Sequence, residues 1–295
     1  MKILMSGAGG LLGTRIQELA AERGDEVIPL VRRSTKAGER FWNPATGELA
    51  TDVFDGVDAV IHLAGDNIGN GRWTVAKKKS IRESRVVGTE LLARNLAESG
   101  RKIPLICASA IGIYGDRGNE ELTESSRSGT GFLPEVCASW ESAAETARAA
   151  GLRVANLRLG IVLSRKGGAL ASMLFPFQMG VGGNMGDGRQ YWSWISLDDA
   201  AAAFLEAASN ENWRGAINLV APEPVTNAEF TRVLGRVLRR PTFIPMPAFM
   251  AKLALGEMAE ALILCSARVL PTALCREKFR YQHTDLESAL RAALK

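Results

Sequence analysis

Apolar runs of three to six residues, each followed by a stretch with helical spacing, recur along the first two-thirds of this chain. The run at residues 3–5 opens the series. Leu12, Ile16, Leu19 and Ala20 then repeat at helical spacing over residues 10–23, and a second strand pattern follows at residues 26–31. Residues 59–64, 105–108 and 154–159 read as further strands, with long helices over 76–98 and 134–149 between them. Strands that alternate with helices predict an α/β fold, a Rossmann-type doubly wound parallel sheet with ligands at the carboxyl ends of its strands. Past Gly160 the rhythm changes to glycine-rich loops, the aromatic cluster Tyr191-Trp192-Ser193-Trp194 and a proline-rich segment at 241–247. This predicts a smaller C-terminal substrate-side lobe woven into the first domain. Residues 1–160 then form a dinucleotide-binding domain, to whose sheet later strands are free to return, and 161–295 form the lobe with a helical C-terminal region.

The turn between the first strand and the first helix carries the first chemical signal. In Ser6-Gly7-Ala8-Gly9-Gly10-Leu11-Leu12-Gly13, Gly7 takes the tight turn and Gly10 lets the backbone approach phosphate oxygens. Gly13 lets the helix pack closely on its strand. Ala8, Leu11 and Leu12 complete the candidate cradle, because the free N–H groups and positive end of the helix face the pyrophosphate there. A glycine triplet also occurs in flexible turns; the strand before it and the helical spacing after it favour a dinucleotide. An NAD site places an Asp or Glu about 20 residues further on to accept bonds from the ribose hydroxyls. Here Val31 is followed by Arg32 and Arg33. Guanidinium groups cannot accept those bonds but can clamp a 2′-phosphate, which points to NADP(H); the plainer reading is a solvated arginine pair. Leu63, Ala64 and Gly65 end the next long strand, where small residues let the backbone lie against the cofactor.

Composition narrows the partners. The 295 residues carry a formal charge of +4 and a pI near 9.0, and can bury a substantial core. The Lys77-Lys78-Lys79 run, with Arg82 and Arg85, has no interleaved aromatics and reads as a solvated helix face rather than a nucleic-acid surface. Cys107, Cys137, Cys265 and Cys275 show no C-x-x-C spacing, which fits a reducing cytoplasm. The first strand begins too early for a charged region and a cleavable apolar segment, and residues 167–186 are broken by Pro176 and glycines, so no membrane segment is expected and that stretch reads as cavity lining or loop. Two histidines, His62 and His283, argue against a histidine metal cluster and a Ser-His-Asp triad, and His62 reads as structural. The expected partner is a small molecule, with no metal.

Taken in order, the N-terminal glycines, Leu63-Ala64-Gly65, Gly88-Thr89-Glu90-Leu91-Leu92, Ser109-Ala110-Ile111-Gly112-Ile113-Tyr114-Gly115 and Trp194-Ile195-Ser196-Leu197-Asp198-Asp199 make the chain resemble the extended short-chain dehydrogenase/reductases over nearly its whole length. Arg72-Trp73, residues 81–85, Trp140-Glu141, residues 167–170, residues 186–190 and residues 268–271 resemble more narrowly their atypical "epimerase family" branch of YfcH type. The resemblance implies catalysis by Ser or Thr, Tyr and Lys, with an Asn assisting. By motif, the Ser/Thr slot holds Ala110, the Tyr and Lys slots hold Cys137 and Glu141, and the Asn slot holds Arg85. A carboxylate in place of the ammonium raises a neighbouring acid's pKa, which removes the usual proton relay.

What remains near the expected reaction centre is Ser109, Tyr114, Cys137 and Glu141. Arg85 reads as fixed positive charge near the cofactor phosphates, as a partner of Glu141, or as an exposed helix arginine. By resemblance Val162 passes near the nicotinamide. The slot of a diphosphate-binding arginine holds Trp192, with Arg189 nearby, and the spacing from Ser196 to Asp199 reads as a helix cap. Tyr191, Trp192, Trp194, Met173, Phe175, Phe177 and Met179 read as core, or as the lining of an apolar pocket. The sequence thus predicts an NADP(H)-binding oxidoreductase or epimerase-like enzyme with a rewritten catalytic centre; the alternatives are a non-catalytic NADP(H) sensor and an ordinary nucleotide-sugar epimerase.

Overall fold

Burial on both faces explains why the sheet strands read as unbroken apolar runs. In the computed structural model, which describes residues 1–33 and 35–295, strand β1 (Lys2–Ser6) leads into helix α1 (Leu11–Glu22), β2 (Glu26–Val31), β3 (Arg40–Asn43), β4 (Glu48–Leu49), β5 (Ala59–His62) and α2 (Val75–Glu98). β6 (Leu105–Ala110) passes through a 3-10 turn, Ile111–Tyr114, to β7 (Glu121–Leu122), α3 (Phe132–Ser142), α4 (Glu145–Ala149) and β8 (Val154–Leu159). Beyond Gly160 come β9 (Ile161–Leu163), α5 (Gly168–Gln178), β10 (Tyr191–Trp192), β11 (Trp194–Ser196), α6 (Leu197–Ser209), β12 (Gly215–Leu219), β13 (Val225–Thr226) and α7 (Asn227–Leu238). The chain ends through α8 (Ala248–Leu255), a π-helical segment Ala259–Leu264, β14 (Arg268–Val269), α9 (Thr272–Arg276) and α10 (Leu286–Ala293).

One sheet runs in the order β12-β8-β6-β5-β1-β2-β3-β4, parallel throughout except for the β3–β4 edge. The chain moves outward from β1 to β2 and β3, then crosses back to β5 on the other side of β1. The switch point between β1 and β5 is where a doubly wound sheet opens a crevice. Ile3, Met5, Ile61, Ile106 and Leu157 pack on one face with Ile16 of α1 and Phe204 of α6. Leu4, Val60, Leu105 and Val154 pack on the other with Leu92 and Leu96 of α2. A separate core of Leu163, Leu170, Phe177, Trp194, Phe230 and Leu290 holds the lobe together.

Several predicted bounds shift for local reasons. β6 extends to Ala110 because Ser109 and Ala110 pair with Arg158 and Leu159 of β8. The helix expected over 134–149 is two helices, since Ala144 N–H bonds Glu141 O three residues back and tightens the turn between them. Residues 168–178, expected as loop or cavity lining, are helical, and Pro176 sits in the last turn. α6 and β12 return to the sheet, so Gly160 is where the chain first leaves it. Among the described residues no helix is long and apolar enough to cross a membrane.

Candidate functional site

The glycines act at the switch point through contacts that leave no room for a side chain. Gly7 has φ +74, and a Cβ there would stand 3.0 Å from both Ala64 N and Leu63 C. At Gly13 a Cβ would lie 2.3 Å from Gly7 O, so only glycine lets α1 start this close to β1. No side chain caps α1 at Gly10 and its first turn carries no acidic residue, so its N–H groups and positive end are left for an anion. Leu63 and Ala64 are fastened to the same point: their N–H groups donate to Ser6 Oγ at 3.2 and 3.3 Å. Ser6 Oγ in turn shares a hydrogen bond with His62 Nδ1 at 2.6 Å. Burial pushes the His62 imidazole down to about 4, aided by the charge of Arg85, so the ring is neutral at pH 7. His62 is thus a strut beneath the crevice, as its strand position suggested.

The other candidate cofactor residues surround that crevice. Val31, Arg32 and Arg33 stand at the carboxyl end of β2, next to β1. Arg33 makes a bidentate pair with Glu39, at 2.7 and 2.6 Å, so a 2′-phosphate would compete with a carboxylate for that guanidinium. Gly65 lies under Arg85, where a Cβ would be 3.2 Å from Arg85 Cζ. Arg85 stacks 5.1 Å from the Trp140 ring centroid and donates to Ile81 O at 2.9 Å. Burial lowers its pKa from the ordinary arginine value. On the opposite wall Val162 pairs with Ile195, and the start of α5 reaches Leu11, since a Cβ on Gly167 would lie 3.7 Å from Leu11 Cδ2.

Three of the four candidate catalytic residues form one chain of hydrogen bonds, organised by an arginine that motif reading did not single out. Ser109 Oγ donates to Glu141 Oε1 at 2.7 Å, and Arg158 donates to both Glu141 oxygens, from Nε at 2.8 Å and Nη2 at 2.9 Å. Arg158 Nη1 also donates to Tyr114 Oη at 2.8 Å, and Tyr114 donates to Asn218 Oδ1 at 2.6 Å. Burial opposes the charge on Arg158, but the bonds and charge of Glu141 hold its pKa above the ordinary value. Of the readings of Arg85, the pairing with Glu141 is not formed: Arg158 reaches Glu141 from β8 on the sheet face that also carries Ser109. Tyr114 is fully buried, and burial raises its pKa against the pull of Arg158. Cys137 stands apart from this chain; burial, then the charge of Glu141, pushes its thiol up to about 12. The signal for Arg158 was a charged residue inside an apolar strand, which must find a partner.

A cavity of about 700 Å³ opens where the 3-10 turn and the start of α3 face the lobe. Gly112, Leu133 and Pro134 form one wall; Asp187, Gln190, Ala261 and Leu264 form the other. Of the aromatic and methionine residues considered for an apolar pocket, Trp192, Trp194, Met173 and Phe177 are lobe core, whereas Phe175 and Met179 are exposed. Trp192 packs edge-on to Phe230, and Ser196 caps α6 by accepting from Asp199 N–H at 3.0 Å.

Residues 3–219 match the NAD dependent epimerase/dehydratase family, and their last residue is the end of β12. The chain belongs to that family. Residues 246–293, from just before α8 to the end of α10, match a domain of unknown function, DUF1731. Within the epimerase/dehydratase family this chain is similar to the epimerase family protein ML0860 of Mycobacterium leprae, 41% identical over 289 residues that cover 98% of this chain and 94% of the relative. It is also similar to the epimerase family protein YfhF of Bacillus subtilis, 35% identical with 98% and 97% covered. The crystal structure of human epimerase family protein SDR39U1 (isoform 2) with NADPH superimposes with a TM-score of 0.89 at 30% identity, covering 100% of both chains. The resemblance to the epimerase-family branch, read from short motifs, is thus a family membership that spans the sheet and the lobe.

Proposed function

We propose that this chain binds NADP(H) at the β1–β5 switch point and acts as an oxidoreductase on a small molecule held in the adjoining cavity. The observation that carries this reading is α3, which joins the two places: Leu133 and Pro134 line the cavity, and two turns on Trp140 lies under Arg85 beside Gly65. The uncapped first turn of α1, the missing Cβ atoms at Gly7, Gly10 and Gly13 and the arginines after β2 fit a dinucleotide with a 2′-phosphate. NADPH in the related human structure supports the same choice. When bound, the nicotinamide supplies a hydride donor or acceptor.

The chain's own residues then orient rather than relay. Glu141 is paired with Arg158 and accepts from Ser109, the Tyr114 hydroxyl is held between Arg158 and Asn218, and the Cys137 thiol is protonated at neutral pH. None of these groups is free to hand a proton to an alkoxide, so the reading favours an activated acceptor such as an enone or quinone, which needs less assistance than a ketone. The same mutual satisfaction favours a second reading, a sensor of the NADP(H) balance without turnover. Loss of NADPH absorbance against panels of enones, quinones, ketones and nucleotide sugars separates them. Turnover on enones or quinones that Ser109→Ala changes in kcat supports the enzyme; no turnover together with a partner that binds only one redox form supports the sensor.

A further inference from the structure

Gln190 is only 7% exposed and lines the cavity. Its Nε2 donates to Met185 O at 2.9 Å and to Ile263 O at 3.2 Å, and two carbonyl acceptors on one nitrogen fix which way the amide points. Among the described residues nothing donates to Gln190 Oε1, so an acceptor on a cavity-lining residue is left open for whatever enters. The charges around it have one dominant sign. Asp116, Asp187, Glu257 and Glu260 line the cavity with a single cation, Lys252, which is paired with Glu260 at 2.5 Å. Glu257 pairs with Lys78 from α2. Asp116 accepts from the backbone of Gly118 and Ser266, and Asp187 from the backbone of Arg189; neither has a cationic side-chain partner among the described residues. Leu133, Pro134, Ala261 and Leu264 supply an apolar wall.

We propose that this cavity selects small, partly apolar molecules without negative charge, which donate a hydrogen bond to Gln190 Oε1, and that it rejects nucleoside diphosphates. The inference rests on the reading of the cavity as the substrate site. A pyrophosphate carries charge of the same sign as Asp116 and Asp187 and would meet an acceptor at Gln190, whereas an amine or hydroxyl meets an acceptor and favourable or neutral charge. An apolar body then gains the wall contacts that a ribose diphosphate cannot use.

Binding to the full chain, with and without NADPH, tests the proposal by titration calorimetry with phenethylamine, phenethyl alcohol, phenylacetate and UDP-glucose. The amine and the alcohol are expected to bind, phenylacetate about tenfold or more weaker than the amine, and UDP-glucose not detectably. Asp116→Asn with Asp187→Asn keeps the oxygens that accept backbone N–H groups and removes two charges, so it should narrow the gap between amine and carboxylate to within about threefold. Gln190→Met should weaken the alcohol. Because that variant also takes one donor each from the Met185 and Ile263 carbonyls, the Asn pair carries the decision if Gln190→Met unfolds. Equal or tighter binding of phenylacetate or UDP-glucose, an unchanged gap in the Asn pair, or no binding of either phenethyl probe overturns the inference. These readouts need no turnover, so a chain that never oxidises NADPH sinks the enzyme reading and leaves the charge ranking standing.

Discussion

His62 has the environment for a measurable pH signature. Its folded-state pKa near 4 lies below the ordinary histidine value of 6.5, so between those limits the unfolded chain takes up a proton that the folded chain refuses. Stability is therefore full above about pH 6.5, falls as the pH drops through that window, and levels off below about 4. The contribution is about 3 kcal/mol across the window. Urea denaturation at pH 7 and pH 4.5 should show His62→Asn, whose amide can still meet Ser6 Oγ, losing much less stability on acidification than the parent; equal losses in the two proteins would assign the acid sensitivity elsewhere. Two strands away, the proposed 2′-phosphate contact of Arg32 and Arg33 is open to direct test. Replacing both by Ala should weaken NADP(H) about tenfold or more and NAD(H) by less than about threefold, since the latter has no 2′-phosphate to lose. Glu39→Gln should move NADP(H) affinity the other way, because Arg33 no longer has to leave a carboxylate. Equal losses for both nucleotides contradict the 2′-phosphate assignment.

The close approach of α1 to β1 hangs on one missing side chain. In Gly13→Ala the new Cβ would meet Gly7 O at 2.3 Å and Ala8 Cα at 2.8 Å, both backbone, so the helix itself must shift; about 3 kcal/mol of stability should go. Gly9→Ala is the control, with nothing within 4 Å, and should stay within about 0.5 kcal/mol by urea denaturation. β8 and α3 are tied by Arg158 and Glu141 in a largely buried pair. Arg158→Met should cost about 3–5 kcal/mol by leaving a carboxylate without its cation, and Glu141→Leu added to it should recover part of that loss; strict additivity in the double-mutant cycle would mean that the pair is not coupled. These two ties differ in how far the sequence shows them. The glycine turn is local, and strands covered on both faces announce themselves as apolar runs, so β1, β2, β5, β8 and α1 are readable within a residue or two. The Arg158 network is not, because Ser109, Glu141 and Arg158 lie on three elements whose neighbourhood follows from the β6–β8 pairing. A lone arginine in an apolar strand says that a partner exists and leaves its identity to the fold. Gln190 is hidden in the same way, since only the packed lobe shows that both of its amide hydrogens are used.

The region after the sheet is held at its two ends by different physics, and the cavity depends on the weaker end. β14 pairs with β7, Asp199 accepts from the N–H groups of Gln282 and His283, and Leu286, Ala289 and Leu290 of α10 fill the lobe core. α8 and the π-helical segment are fastened to the start of α2 by polar contacts at the surface, and the far end of the π-helical segment to the lobe through Ile263 O, which accepts from Gln190 and Trp192. Arg72 donates to Leu253 O at 2.7 Å, a cation at the carbonyl end of α8, and Lys78 pairs with Glu257. Phe249 and Leu253 remain 70% and 75% exposed, so apolar burial supplements those ties mainly through Ala251, Met258 and Ala259. Partly exposed ion pairs hold a segment by about 1 kcal/mol or less each, which is enough to bias its position and too little to govern the unfolding of the whole chain. Arg72→Ala with Lys78→Ala should therefore speed amide hydrogen exchange across residues 248–264 and leave β14 and α10 protected, with the melting temperature lowered by only about 2 °C. The same variant should weaken phenethylamine binding, because Ala248, Lys252, Ala261 and Leu264 of that segment form a wall of the cavity. Exchange that spreads into α10, or a cavity that binds the amine unchanged while residues 248–264 open, would mean that the wall is held from the lobe core and not from α2.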